Sequence, residues 1–300
     1  MPSPTLRNVA GMKHAAPIPQ RRVEELSQAE FFTEYVLKNQ PCLIKGMTRN
    51  WPASSKWRDR DYLKSLAGHH QIYYYPHENF SSLQRQEQDE IMISLGEALD
   101  RLQAPETKVG FVGTALPVEW LADIGAMPFL GKVPPAFFYP YVRYFLFRDA
   151  GTTWHYHPFD ETLMCQVIGA KQVGLLRLDN PHHLALRNIF FQEDYYDDPA
   201  LLAGFGGLSW FTATVEESDA LYIPPLWWHG VVPMNGDFGI TAAVPWRSPP
   251  AIVADTIRKM AAGRFDIIGK NRATHAAALA EQARQLGLER EFATAWENGN

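Results

Sequence analysis

The chain has 300 residues, 28 Lys and Arg against 33 Asp and Glu, and a formal net charge of -5. With no basic run longer than a few residues, that balance excludes a phosphate-tracking nucleic-acid surface, and no apolar run approaches the roughly 18–20 residues of a membrane span. Hydrophobic residues at 46% are enough to fill one large β domain or two smaller ones. The two cysteines, Cys42 and Cys165, each sit inside an apolar run and read as buried thiols of a reducing compartment. No apolar secretion core opens the chain, so the expectation is a soluble, cytoplasmic protein.

In chain order, residues 1–20 are rich in Pro and Ala and predict a loose tail. Ser27-Gln28-Ala29-Glu30 fits a capping box, followed by Phe31, Phe32, Tyr35, Val36 and Leu37 at helical spacing. Pro41 to Lys45 reads as a short buried strand, Asp61 to Ala67 as a short helix and Gln71 to Tyr75 as a β run. Further strands are predicted at Val109–Val112, Tyr141–Phe147, Leu163–Ile168, Gln172–Leu178, Ala220–Ile223 and Phe238–Val244. Gly169-Ala170 predicts a tight hairpin between two of them. Residues 188–217 carry an acidic, aromatic stretch and then a glycine-rich one, which predicts an excursion roofing a site.

After Pro249-Pro250 the text turns to Ala, Arg, Gln, Glu and Leu, and Ile252–Ala262, Thr274–Leu286 and Glu289–Trp296 predict helices. Many short strands without intervening long helices argue for a mainly β sandwich or barrel. The expected plan is a tail at 1–20, a β domain over 21–250 and a helical segment over 251–300. That last segment either packs on the barrel or builds a homodimer.

Chemistry concentrates in Gly151-Thr152-Thr153-Trp154-His155-Tyr156-His157-Pro158-Phe159-Asp160-Glu161 and in Ile223-Pro224-Pro225-Leu226-Trp227-Trp228-His229. Along an extended strand alternate side chains share a face, so His155 and His157 point the same way with Tyr156 opposed. Two imidazoles grip a divalent cation from one side, and His229 on another strand supplies a third donor. Such a set leaves part of the coordination sphere open, as catalysis requires. His69-His70 and His182-His183 read as loop residues, and neighbours on a strand would face opposite sides, so neither pair suits a single metal. Arg143, Tyr144, Trp154 and Tyr156 are candidates to shape the mouth of the site.

These residues carry a resemblance. Phe31 to Tyr35, Gln40 to Gly46 and Asn50-Trp51-Pro52 resemble the opening of the Jumonji-C, cupin-like family of iron(II) and 2-oxoglutarate dependent oxygenases. Gly151 through His155, Gln166 to Lys171, Asp219 to Pro225 and Trp227-Trp228-His229 resemble its two metal segments, over about residues 24–247. The resemblance implies a double-stranded β-helix, a jelly-roll or cupin barrel with flanking N-terminal helices and the metal inside one end. It implies His155 and His229 as ligands, Lys171 on the distal carboxylate of 2-oxoglutarate, and Thr152 and Thr241 as further partners of that carboxylate.

One departure stands out: the family usually has His-x-Asp or His-x-Glu where this chain has His155-Tyr156-His157. The local text instead resembles the broader cupin motif of three His and one Glu, with Glu161 (or less readily Asp160) as a fourth ligand. A fourth ligand would leave two positions, too few for a chelating oxoacid and dioxygen together. The leading expectation is therefore a hydroxylase with iron(II) on His155, His157 and His229, acting on a protein, peptide or small molecule, without nucleic-acid or membrane partners. A 2-oxoglutarate independent cupin enzyme and a non-catalytic cupin binding module stand beside it.

Overall fold

The computed structural model describes residues 14–75, 91–104, 108–177, 208–234, 238–262 and 270–297. Its strands are β1 (Ala16–Pro17), β2 (Gln20–Arg22), β3 (Cys42–Lys45), β4 (Gln71–Tyr75), β5 (Ile91–Ser94), β6 (Val109–Gly113) and β7 (Arg143–Arg148). They continue as β8 (Thr152–His155), β9 (Asp160–Ile168), β10 (Ala170–Arg177), β11 (Phe211–Val215), β12 (Ala220–Ile223), β13 (Trp227–Met234) and β14 (Phe238–Arg247). One sheet runs β1-β11-β10-β13-β8 and the other β2-β3-β12-β9-β14-β7-β6-β4-β5. From β7 to β10 successive strands pass from one sheet to the other, and they do so again from β11 to β14. That alternation winds the chain into the jelly-roll barrel of the cupin fold.

Three apolar layers follow. Val173, Leu175, Leu221, Ile223, Met164 and Val231 fill the space between the sheets. On the far side of the larger sheet, Leu163, Cys165, Tyr222 and Ile240 pack with Phe31, Trp57 and Trp120 from the N-terminal helical pieces. Outside the smaller sheet, Trp154, Leu176 and Trp228 pack with Val253, Ile257, Leu279 and Phe292 of the C-terminal helices Pro250–Ala261, Lys270–Gln285 and Glu289–Glu297. Each sheet is thus covered on both faces. That is why β9 is buried along its whole length and reads as a near-continuous apolar run instead of alternating.

The C-terminal helices are packed on the barrel, so their apolar faces are used by this chain's own core, and a homodimer through them finds no support here. Gly169, at φ +79, is a corner and not a hairpin: β9 pairs with β12 and β14, whereas β10 pairs with β11 and β13. A tight turn carries the same glycine signal whether the chain doubles back or changes sheet, so sequence alone did not separate them. The expected loose tail falls partly outside the described residues, but Ala16–Pro17 and Gln20–Arg22 already pair in parallel with β11 and β3. The expected excursion lies mostly outside the described residues as well, and the chain rejoins the barrel in β11. Both cysteines are free and buried. Among the described residues no helix is long and apolar enough to cross a membrane.

Local chemistry sets the corner that carries His229. Ser27 accepts from the Glu30 amide and starts a helical turn that continues as a π-helix over Phe31–Val36. Asn39 ends it in the left-handed region at φ 51. Its side chain then accepts from Trp227 Nε1 at 2.8 Å and donates to the Pro225 carbonyl at 3.0 Å, fixing the turn between β12 and β13.

Candidate metal centre

His155 on β8 lies directly opposite His229 on β13, and their ring centroids are 4.1 Å apart. β8 ends at His155, so His157 belongs to the turn that follows and not to the same strand as expected from alternation. The turn still delivers it: the His157 carbonyl accepts from the Leu226 amide at 2.9 Å, and its ring centroid sits 5.3 Å from His155 and 5.0 Å from His229. Tyr156 points the other way, onto Trp228. One donor nitrogen from each imidazole can be chosen so that all three lie within 4.8 Å of one another. Metal–nitrogen bonds of roughly 2.1 Å need somewhat less than that, a closure within reach of small side-chain rotations.

The rings are already set for metal. His229 Nδ1 lies 3.0 Å from the Trp227 carbonyl, which can only accept, so Nδ1 carries the proton and Nε2 is left as a lone-pair donor. His157 Nδ1 is engaged by the Thr162 hydroxyl at 2.9 Å, which leaves its Nε2 for the cation. Burial and the neighbouring imidazoles hold both rings well below the usual histidine range, with Arg143 adding to the effect on His157. Neutral imidazole is the ligand form, and three such donors without a carboxylate suit a borderline divalent ion such as iron(II), manganese, nickel or zinc.

Between His229 and Val231 on β13 the register slips, so that Thr152 faces Val231 while His155 faces His229. Three steps on β8 answer two on β13, a bulge that turns Thr152 to the same side as His155. Its Oγ1 is buried and has no hydrogen-bond partner. The close approach depends on Gly151, where a Cβ would stand 2.1 Å from the Val231 carbonyl oxygen.

Lys171 shares the inward face of β10 with Val173 and Leu175. It is 5% exposed, and its Nζ lies 4.1 Å from the centre of the Phe147 ring. Burial pushes it down to about 7, and no carboxylate among the described residues pairs with it. Thr241 also turns inward, but its hydroxyl donates to Gln166 Oε1 at 2.8 Å, so that proton is already committed.

Glu161 and Asp160 do not join the imidazoles. Glu161 shares the outward face of β9 with Leu163 and Cys165, and its Oε2 accepts from the Tyr222 hydroxyl at 2.6 Å. Asp160 accepts from the Phe137 and Phe138 amides at 2.7 and 2.9 Å. Thr162, between Glu161 and Leu163, is the residue that turns inward and reaches His157. Burial pushes Glu161 up to about 8, offset in part by Tyr222 and the nearby Ser248 hydroxyl, so it is mainly protonated at pH 7.

Glu161→Gln is therefore expected to leave metal binding unchanged and to stabilise the protein. An acid raised on folding costs stability as pH rises through its unfolded value. The gain should be near zero below pH ~4 and up to about 3 kcal/mol at pH 7. Urea unfolding across pH with parallel metal titration checks this, and a drop in metal affinity would return Glu161 to the cation.

Of the other sequence candidates, Tyr144 and Trp154 are core residues on the outward faces of their sheets, and Arg143 faces inward. His69 and His70 lie in the turn after the helix Arg60–Ala67, not on a strand. That loop placement is the expected one, but the rings are only 4.5 Å apart and Glu119 Oε2 lies 3.2 Å from His70 Nε2, so a half-exposed His-His-Glu group results where no metal-suited pair was expected. His182-His183 lie outside the described residues. Thr162 and the Trp227 carbonyl, which orient two of the imidazoles, carried no sequence signal of their role.

A family profile described as "Cupin-like domain" matches residues 28–252. The chain is 27% identical over 252 residues to Jumonji C domain-containing protein 5 of Drosophila melanogaster, covering 77% of this chain and 60% of that protein. It is 24% identical over 241 residues to lysine-specific demethylase JMJ30 of Arabidopsis thaliana, covering 70% of this chain and 52% of that protein. A shorter stretch of 100 residues is 27% identical to tRNA wybutosine-synthesizing protein 5 of Homo sapiens, covering 33% of this chain and 31% of that protein. The chain spans only about half to three-fifths of the first two relatives. With the barrel corners, the three imidazoles and the interior lysine all inside the matched span, the chain belongs to the cupin-like family.

Proposed function

We propose that this chain is an iron(II) and 2-oxoglutarate dependent oxygenase that hydroxylates a C–H bond. The observation that carries the reading is the company kept by His155, His157 and His229: among the described residues no carboxylate crowds them, and two polar groups without a hydrogen-bond or ion-pair partner, Lys171 Nζ and Thr152 Oγ1, line the same interior. Three protein ligands on a six-coordinate ion leave room for a chelating oxoacid and for dioxygen. Iron(II), when bound, supplies the activation of dioxygen coupled to oxidative decarboxylation of the oxoacid.

The residues of this chain have definite tasks. His229 presents its Nε2 lone pair from a tautomer fixed by the Trp227 carbonyl, and His157 presents Nε2 when its Nδ1–H donates to the Thr162 hydroxyl. Lys171 offers its ammonium to the distal carboxylate of the oxoacid, a buried anion answering a buried cation. Thr152 adds a hydroxyl donor that has no other partner among the described residues. Phe145 and Phe147 wall the interior beside the Lys171 ammonium. Neutral imidazole in place of the usual acid leaves the ion one unit more positive, which favours anionic co-ligands.

The relatives' names support an enzyme of Jumonji-C type but diverge in what they act on, so the substrate is not taken from them. Protein loaded anaerobically with iron(II) and then given 2-oxoglutarate and oxygen should form succinate and consume oxygen. A protein that binds iron at the three histidines yet neither binds 2-oxoglutarate nor forms succinate would overturn the reading.

A further inference from the structure

A second cation faces the barrel interior. β7 alternates, with Tyr144 and Leu146 in the outer core and Arg143, Phe145 and Phe147 turned inward. Arg143 Cζ lies 3.8 Å from the centre of the Tyr139 ring and 5.1 Å from that of Phe145. Its Nε is buried without a hydrogen-bond partner. The titratable groups it feels are Tyr139, Tyr75 on β4 and His157 in the metal site, and no carboxylate of the described residues pairs with it. Stacking on aromatic rings offsets part of the lost hydration of a guanidinium, but it does not neutralise the charge. Arg143 is half-buried, and with no carboxylate partner among the described residues its guanidinium is open to an anion brought by a ligand.

The oxoacid does not supply that anion under the reading above. One of its carboxylates chelates the ion and the other meets Lys171, so both are committed. We propose that Arg143 receives an anionic group of the substrate, and hence that the substrate is an acid carrying a carboxylate or phosphate close to the oxidised carbon. This deepens the oxygenase reading and rests on it for the word substrate. Guanidinium binds both anions through paired N–H donors, so the two sources share one chemistry.

The test uses the whole chain loaded with manganese(II) in place of iron. Wild type, Arg143→Met, Arg143→Lys and Lys171→Met are titrated calorimetrically with 2-oxoglutarate. With 2-oxoglutarate saturating, each is then titrated with matched neutral and anionic pairs: short-chain carboxylates against their primary amides, and alkyl phosphates against the parent alcohols. At least one acid should bind wild type about tenfold or more better than its neutral partner, a charge-assisted preference. Which series shows it identifies carboxylate or phosphate.

The preference should vanish in Arg143→Met and survive in part in Arg143→Lys. The affinity for 2-oxoglutarate should hold in Arg143→Met and fall in Lys171→Met. Without ligand, Arg143→Met should melt higher than wild type, because an uncompensated cation has gone, whereas a purely structural stacking role would make it melt lower. If the Met variant fails to fold, Arg143→Gln carries the same comparison.

The proposal is overturned if no pair discriminates in wild type, if the preference persists in Arg143→Met, or if 2-oxoglutarate is what that variant loses. Wild type that does not bind 2-oxoglutarate at all sinks the oxygenase reading instead. The acid preference, measured then with manganese alone, still decides the role of Arg143.

Discussion

His229→Ala is expected to lower metal affinity by at least about a hundredfold and to abolish succinate formation. A hundredfold is the upper end of what losing only a hydrogen bond behind a ligand costs, so a ligand itself should exceed it. His229 is chosen because its geometry is the most constrained of the three. It faces His155 across the ladder, is 3% exposed, and has its tautomer set by the Trp227 carbonyl.

A second readout separates metal loss from unfolding. The His229 imidazole is held well below its ordinary value by burial and by His155 and His157. As pH falls through about 6.5 the unfolded chain takes up a proton that the folded chain resists, so wild type without metal loses stability in acid. The alanine variant should unfold cooperatively at pH 7 and show a shallower acid loss. Cobalt(II) absorption titration and urea midpoints between pH 5 and pH 8 measure both. Metal affinity within threefold of wild type would place the ion elsewhere.

The interior of the barrel was legible because its strands read as near-continuous apolar runs, whereas His155 and His157 meet for a reason other than the period-2 signal, since His157 lies in the turn beyond β8 and that turn brings it back. The direct opposition of His155 and His229 was not legible, since register between strands far apart in sequence depends on both partners and on the corners between them. The bulge that turns Thr152 inward shifts parity by one, and no residue type announces it. Glu161 shows the same limit from the other side. Its spacing after His157 fits a ligand motif, but β9 begins at Asp160, and its alternation then commits Thr162 to the site and Glu161 to the outer core. The Gly169 signal fits a turn but does not distinguish a hairpin from a corner, because the partner strands and not the glycine decide which sheet comes next.

Lys171→Met is expected to weaken 2-oxoglutarate binding while making the empty protein more stable, two effects of opposite sign from one side chain. Removing one member of a buried charge pair costs roughly 2–5 kcal/mol, or about thirtyfold to a few thousandfold in affinity. The stability gain follows from linkage. Burial pushes Lys171 down to about 7, against an ordinary value near 10.4 in the unfolded chain. Between those values the unfolded state holds the extra proton, so wild-type stability rises with pH across the window. The burden is fully present below pH 7 and gone near pH 10.

The methionine variant has no such slope, and its advantage should be largest at neutral pH or below, on the order of 4 kcal/mol at most, shrinking toward pH 10. Calorimetric titration of the manganese(II) protein with 2-oxoglutarate, with urea unfolding at several pH values, reads both effects. Unchanged 2-oxoglutarate affinity with the predicted stability curve would mean that Lys171 is a buried cation waiting for a different anion.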